Sequence, residues 1–280
     1  MASKASTDIA QDATALLLQV RDVFLFQGDG YGPLFFYVAL AGFCTASLRT
    51  ILLAKPSINF SHGLALGVLT SFGGSTLCAI MCGAPASLVV NEALVTTLLA
   101  VWVVLFLFKA SIMPLLETPA GRLFMSVTYE TMRCHVMMGS AALAAKELGG
   151  SRAAAYALRT SVATVAPLVG GILGGCGGGF MPLDKGLGPI EAGMNWRIGS
   201  AALGSIWLQL TLRDPDGKAY VASLVPALAS ADWIRFGAVA FFVLAPMLGL
   251  ATQFGPNPLA PFAPPAAAPP AKAAKGKKTD

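Results

Sequence analysis

Charge is scarce in this chain: Asp, Glu, Lys and Arg make up 12% of the residues, against 55% that are hydrophobic. A chain so poor in charge cannot turn a polar surface to water on all sides, which excludes an ordinary soluble domain. Histidine occurs only at His62 and His135, too few for a histidine metal cluster within one chain. The five cysteines, Cys44, Cys78, Cys82, Cys134 and Cys176, lie in or beside apolar segments without CxxC or Cys/His zinc spacing, and read as small packing residues. No Ser/His/Asp set, phosphate-binding glycine loop or dinucleotide fingerprint is found, so neither an enzyme nor a resident metal is expected. The net charge of +5 comes from basic residues scattered at segment ends and in the tail, not from a stripe interleaved with aromatics. That pattern argues against nucleic acid and for an anionic lipid surface as the electrostatic partner.

Long apolar runs, in contrast, are abundant. Seven can be drawn, at 34–53, 64–81, 93–116, 123–145, 153–175, 192–212 and 233–250, each about long enough to cross the ~30 Å hydrocarbon layer. All are expected to be helices, because backbone polar groups surrounded by lipid must pair within their own segment. Residues 1–30 carry Asp8, Asp12, Arg21 and Asp22 around a short Leu16-Leu17-Leu18 patch and read as a tail or interfacial helix. Residues 251–280 are rich in Pro, Ala and Lys, a composition that cannot build a core, and are expected to be disordered. Lys109 and Arg197 stand near segment ends, from which long side chains reach the headgroups, and call for no functional explanation.

Glu130 and Arg133 stand one helical turn apart within the fourth run. An arginine at a helix centre costs roughly 2.5–3.5 kcal/mol on an insertion scale, so the pair must face a partner helix, an aqueous cavity or a bound anion. The pair reads first as a ligand or pathway site, and alternatively as an i,i+3 ion pair gluing helices together.

The chain also repeats itself. Phe72-Gly73-Gly74 in the second run matches Val169-Gly170-Gly171 in the fifth at a spacing of 97 residues, and Val101-Trp102-Val103 matches Ile206-Trp207-Leu208 at 105. Residues 31–117 and 121–213 therefore read as two copies of a three-helix unit, followed by a last helix at 232–250. A unit that crosses an odd number of times must start its second copy on the opposite side. The repeats are then inverted, and a pathway between them is expected near the midplane. Gly73, Gly74, Gly170, Gly171, Gly174 and Gly175 are expected to kink their helices and expose carbonyls, with close helix packing as the alternative. Ser71, Ser75, Thr76 and Thr164, near those glycines, are candidate pore-lining hydroxyls, although such groups commonly bond their own helix backbone.

Taken together these features resemble the trimeric intracellular cation (TRIC) channel family, over roughly residues 34–250. The most specific likeness is in the fourth run. Animal members carry a Lys-Glu-Val-x-Arg-x-x-Lys-type motif there, and this chain reads Tyr129-Glu130-Thr131-Met132-Arg133-Cys134-His135-Val136. Glutamate and arginine carry over to Glu130 and Arg133, whereas Tyr129 and Val136 replace the two lysines. The resemblance implies an all-α membrane protein of seven transmembrane helices, two inverted three-helix repeats plus a seventh, in residues 31–250. It implies a homotrimer in the endoplasmic or sarcoplasmic reticulum membrane, each protomer conducting potassium and other monovalent cations as counter-ion current during calcium release and uptake. It further implies a phosphoinositide or other anionic lipid near the fourth-run motif, with Arg133 as the phosphate contact and Glu130 and Tyr129 beside it in lipid binding or gating. Lys277 and Lys278 near the C-terminus look like a dilysine retrieval signal, which requires a cytosolic C-terminus and, with seven spans, a lumenal N-terminus. A secondary transporter of a small solute is the alternative, since inverted repeats and a midplane ion pair also suit transporters.

Overall fold

In the computed structural model, residues 2–149, 159–176, 178, 196–226 and 230–248 are described. Among them every regular element is helical. In chain order these are α1 (Ala2–Phe24), α2 (Tyr31–Ala54), α3 (Phe60–Cys82), a single turn α4 (Ser87–Val90), α5 (Glu92–Leu107), α6 (Lys109–Leu116), α7 (Pro119–Gly149), α8 (Arg159–Gly175) and α9 (Trp196–Leu208). A π-helical turn (Gln209–Arg213) continues α9, and α10 (Pro215–Leu224) and α11 (Ala231–Met247) follow.

Local chemistry sets several of these boundaries. Asn59 caps α3 by accepting from the His62 N–H at 2.8 Å, and α3 ends where Gly83 takes a left-handed φ of 67°. Pro119 opens α7 and Pro215 opens α10, at positions where a missing N–H costs nothing. The 10-residue helix α10 follows directly after the sixth apolar run and was not legible in hydropathy.

The third apolar run is not one straight helix. α5 and α6 meet at Phe108 with a bend of 104°. A straight helix over 93–116 would run ~36 Å, longer than the ~30 Å hydrocarbon layer. Pro114 cannot donate to the Ala110 carbonyl and so weakens any straight continuation. The Lys109 ammonium donates to the Pro56 carbonyl at 2.8 Å, which ties α6 to the α2–α3 turn rather than leaving that charge to headgroups. Arg49 from α2 and Arg122 from α7 both bond Glu117, fixing the far end of α6.

α7 is the axis of the bundle, and pairwise contacts give the direction of its neighbours. Gly42 abuts Thr128, and Arg49 reaches Glu117 just before α7, so α2 runs against α7. Gly170 abuts Ala144 and Gly175 abuts Met137, so α8 also runs against it. Cys78 faces Gly170 while Thr70 faces Gly178, so α3 opposes α8 and runs with α7. α9 runs with α7, with Ser200 at Arg133 and Gly204 at Met137. Among the described residues three apolar clusters flank α7: one around Phe43, Phe72, Trp102, Tyr129 and Met132, another around Cys134, Met137, Leu208, Ile234 and Phe242, and a small one of Cys78, Cys82 and Ala144.

The glycines lie inside continuous helices. α3 continues without a break through the buried Gly73 and Gly74, and α8 continues through Gly170, Gly171 and Gly174 to Gly175. At the α8 positions they allow close approach. A Cβ on Gly170 would stand 2.6 Å from the Ala144 Cβ and 2.9 Å from the Ser140 carbonyl oxygen, and one on Gly175 2.7 Å from the Ala201 Cβ. A Cβ on Gly171 or Gly174 would run into the Ser205 or Ser140 side chain. In lipid, where helices gain no hydrophobic drive to associate, such small-residue contacts let backbones pack closely.

Candidate functional site

Arg133 lies at the meeting point of α7, α8, α9 and α11, with none of its side chain exposed, and Glu130 is 1% exposed. They share one face of α7 because residues three apart are neighbours on a helix. Nε and Nη2 of Arg133 donate to Glu130 Oε2 at 2.8 and 2.5 Å. Nη1 donates to the carbonyls of Gly175 at 2.9 Å and Arg197 at 3.1 Å, and Nη2 also donates to Ser200 Oγ at 2.7 Å. A guanidinium has five N–H donors, and these bonds use all of them. The Phe242 ring lies under the cation, 4.5 Å from Cζ to the ring centroid.

The partners come from both helices that flank residues 176–195. Gly175 is the last residue of α8, whose C-terminal carbonyls favour a cation. Trp196 opens α9, and its indole Nε1 donates to Glu130 Oε1 at 3.2 Å. Ser200, four residues on and on the same face, also donates to the Trp196 carbonyl at 2.5 Å. Arg133 and Glu130 thus fasten the end of α8 to the start of α9.

Tyr129 is 2% exposed and stacks on Phe43 at 5.1 Å between centroids, turned into the α2 side of the bundle. The Arg197 guanidinium lies 5.5 Å from the Tyr129 ring, so Arg197 joins the site through both its carbonyl and its side chain. It is not the plain headgroup charge that its place near a segment end suggested. Arg133 in turn has no donor left for a phosphate, so the expected phosphate contact is closed in this arrangement.

Ser71 is buried and its Oγ has no hydrogen-bond partner. Ser75 Oγ donates to its own helix at the Phe72 carbonyl, 3.0 Å away, and Thr76 is half-buried. The Thr164 side chain, Lys277 and Lys278 lie outside the described residues. Sequence reasoning missed Trp196, Ser200 and Phe242, and did not tie the Gly175 carbonyl to Arg133. Only the first two left a signal, a Trp and a Ser at helical i,i+4 spacing at the start of an apolar run.

No family model matches the sequence, and no curated protein matches it. A solved structure does: a trimeric intracellular cation channel from C. elegans, in the absence of Ca2+, at a TM-score of 0.52 and 17% identity. The likeness covers 79% of this chain and 92% of that one. Among its described residues the protein is all-helical, with α2 and α3 long and apolar enough to cross a membrane, and it shares the fold of that channel.

Proposed function

We propose that the protein is a monovalent-cation channel of the trimeric intracellular type. The observation that carries this reading is the fold, shared with a cation channel across most of both chains. The seven spans would be α2, α3, α5 with its bent continuation α6, α7, α8, α9 and α11. α2–α6 and α7–α9 would form the inverted repeats of residues 31–117 and 121–213, α11 the seventh helix of 232–250, and residues 1–30 and 251–280 the flanking segments. The alternating directions of α2, α7 and α8 support that order.

In this reading three protomers assemble, each conducts potassium through its own pore, and the current balances charge when calcium crosses the endoplasmic or sarcoplasmic reticulum membrane. The N-terminus is lumenal and the C-terminus, with Lys277 and Lys278, cytosolic. Arg133 serves gating by holding α8 to α9, with its charge screened from a passing cation by Glu130. An anionic lipid such as a phosphoinositide remains a partner, but it reaches Arg133 only by displacing bonds the protein already makes.

Planar-bilayer recording of the purified protein in asymmetric potassium chloride tests this. Unitary currents reversing near the potassium potential support it. Saturable, solute-coupled uptake in vesicles without such currents would replace it with the transporter reading.

A further inference from the structure

The bundle leaves α1 largely uncovered. Residues 11–20 are exposed around the whole circumference of the helix, and its ring contacts with the rest of the chain come from Arg21, Phe24 and Phe26. Yet the helix is sharply two-sided. Ala13, Leu16, Leu17, Val20 and Phe24 recur at the spacing of one apolar stripe, whereas Gln11, Asp12, Gln19 and Asp22 fall outside it. Of the three leucines only Leu18 stands off the stripe. Leu16 is 61% exposed and Leu17 48%, so the stripe is bare.

A strained joint fixes the end of this helix. The Gln27 N–H donates to the Asp22 carbonyl at 2.8 Å and the Phe26 N–H to the Val23 carbonyl at 3.1 Å, a helix ending that puts residue 26 in the left-handed region. Glycine ordinarily fills that place, but here it is Phe26, at a φ of 59°. A bulky residue stays there only where its surroundings hold it. The Phe26 ring lies against His135 of α7 at 4.1 Å between centroids and meets Phe36 edge-on at 5.4 Å. His135 Nε2 donates to the Phe24 carbonyl at 2.9 Å, which satisfies one of the acceptors that the end of α1 leaves free.

The joint lies where α2, long and apolar enough to cross a membrane, begins. Tyr31 and Trp233 stand in the first turns of α2 and α11, and such aromatic residues collect at a membrane–water boundary. The Arg21 guanidinium lies over Trp233 at 5.3 Å, which sets the last turn of α1 at that level. Beyond it Leu34, Tyr37 and Val38 continue the exposed apolar surface along α2. The stripe of α1 is thus held at the edge of a surface made for lipid. α1 carries Lys4 and Arg21 against Asp8, Asp12 and Asp22, a net charge of −1 that gives anionic lipid nothing to attract.

We propose that α1 lies along the bilayer surface, with Leu16, Leu17 and Val20 sunk into the boundary between headgroups and acyl chains, and that the Phe26–His135 joint holds it there. The joint ties this surface helix to α7, two residues from Arg133. The proposal rests on α2 spanning the membrane and is independent of conduction.

Nitroxide labels on single introduced cysteines test it in the full chain, whose own five cysteines are buried. Leu16→Cys, Val20→Cys, Gln11→Cys and, in α2, Leu34→Cys are labelled and reconstituted in phosphatidylcholine vesicles. Each label is read for access to oxygen, which collects in lipid, and to a nickel chelate, which stays in water. The Leu16→Cys and Val20→Cys labels are expected to meet oxygen and lose nickel access, as the Leu34→Cys label does, while the Gln11→Cys label meets nickel. Added phosphatidylserine should shift none of them.

Nickel access at Leu16→Cys and Val20→Cys equal to that at Gln11→Cys, with Leu34→Cys dry, overturns the docking alone. A wet Leu34→Cys label takes the spanning reading down with it. Shielding of Leu16→Cys and Val20→Cys from both probes would mean that protein, not lipid, covers the stripe, and also overturns it. Phe26→Gly suits the left-handed backbone and removes the ring from His135. It is expected to abolish the nickel protection of the Leu16→Cys label while the helical circular dichroism is kept, and protection that survives overturns the joint.

Discussion

Replacing Arg133 by Met keeps an unbranched apolar stem and removes all five of its hydrogen bonds. The carboxylate of Glu130, 1% exposed, then loses two charge-assisted bonds, and the Gly175 and Arg197 carbonyls each lose a donor. Removing one member of a buried ion pair costs about 3–5 kcal/mol, because the remaining charge is left without compensation. Replacing both members by apolar groups is far milder, so Glu130→Met in the Arg133→Met background should recover at least ~2 kcal/mol of that loss. The Trp196 indole still loses its acceptor, which keeps the recovery incomplete. Reversible unfolding in mixed micelles of wild type, both single variants and the double variant closes the cycle. A loss below ~1 kcal/mol for Arg133→Met, or a double variant equal to the sum of the singles, would refute the account of this pair as one coupled unit.

Three further outcomes are expected. Gly170→Val should destabilise the fold by about 1–3 kcal/mol or more, since its Cβ would meet Ala144 and the Ser140 carbonyl, and thermal unfolding in detergent would show it. Glu117 has its carboxyl held below the usual carboxylate range, first by the Arg49 hydrogen bond. Its contribution to stability is present above the unfolded-state value of about 4.3 and is lost as pH falls through the lower folded value, so Glu117→Gln should flatten the acid side of a stability–pH curve. A membrane-impermeant maleimide should add nothing to the folded wild type, because Cys44, Cys78, Cys82, Cys134 and Cys176 are all buried, and should modify all five after denaturation.

The long apolar helices were legible because lipid forces backbone pairing, and α2, α3 and α7 enclose the runs read at 34–53, 64–81 and 123–145. The turn at Phe108 was not, since apolar residues stand on both sides of it and the bend depends on Lys109 and Glu117 finding partners on α2, α7 and the α2–α3 turn. Glu130 and Arg133 announced themselves by their charge in an apolar run. Their partners did not, because a carbonyl at Gly175 and a ring at Phe242 carry no mark in sequence and are brought in by helix packing. The glycines show the same limit. Sequence allows a kink or a close contact, and the contact becomes visible only through the Ala144, Ser140 and Ala201 neighbours of α8.

The proposed channel must conduct cations. Single-channel recording of the purified wild type in a planar bilayer, under a potassium chloride gradient, tests it most directly. Discrete unitary currents that reverse near the potassium potential are expected. Folded protein that leaves the bilayer silent, or currents that reverse near the chloride potential, would contradict it.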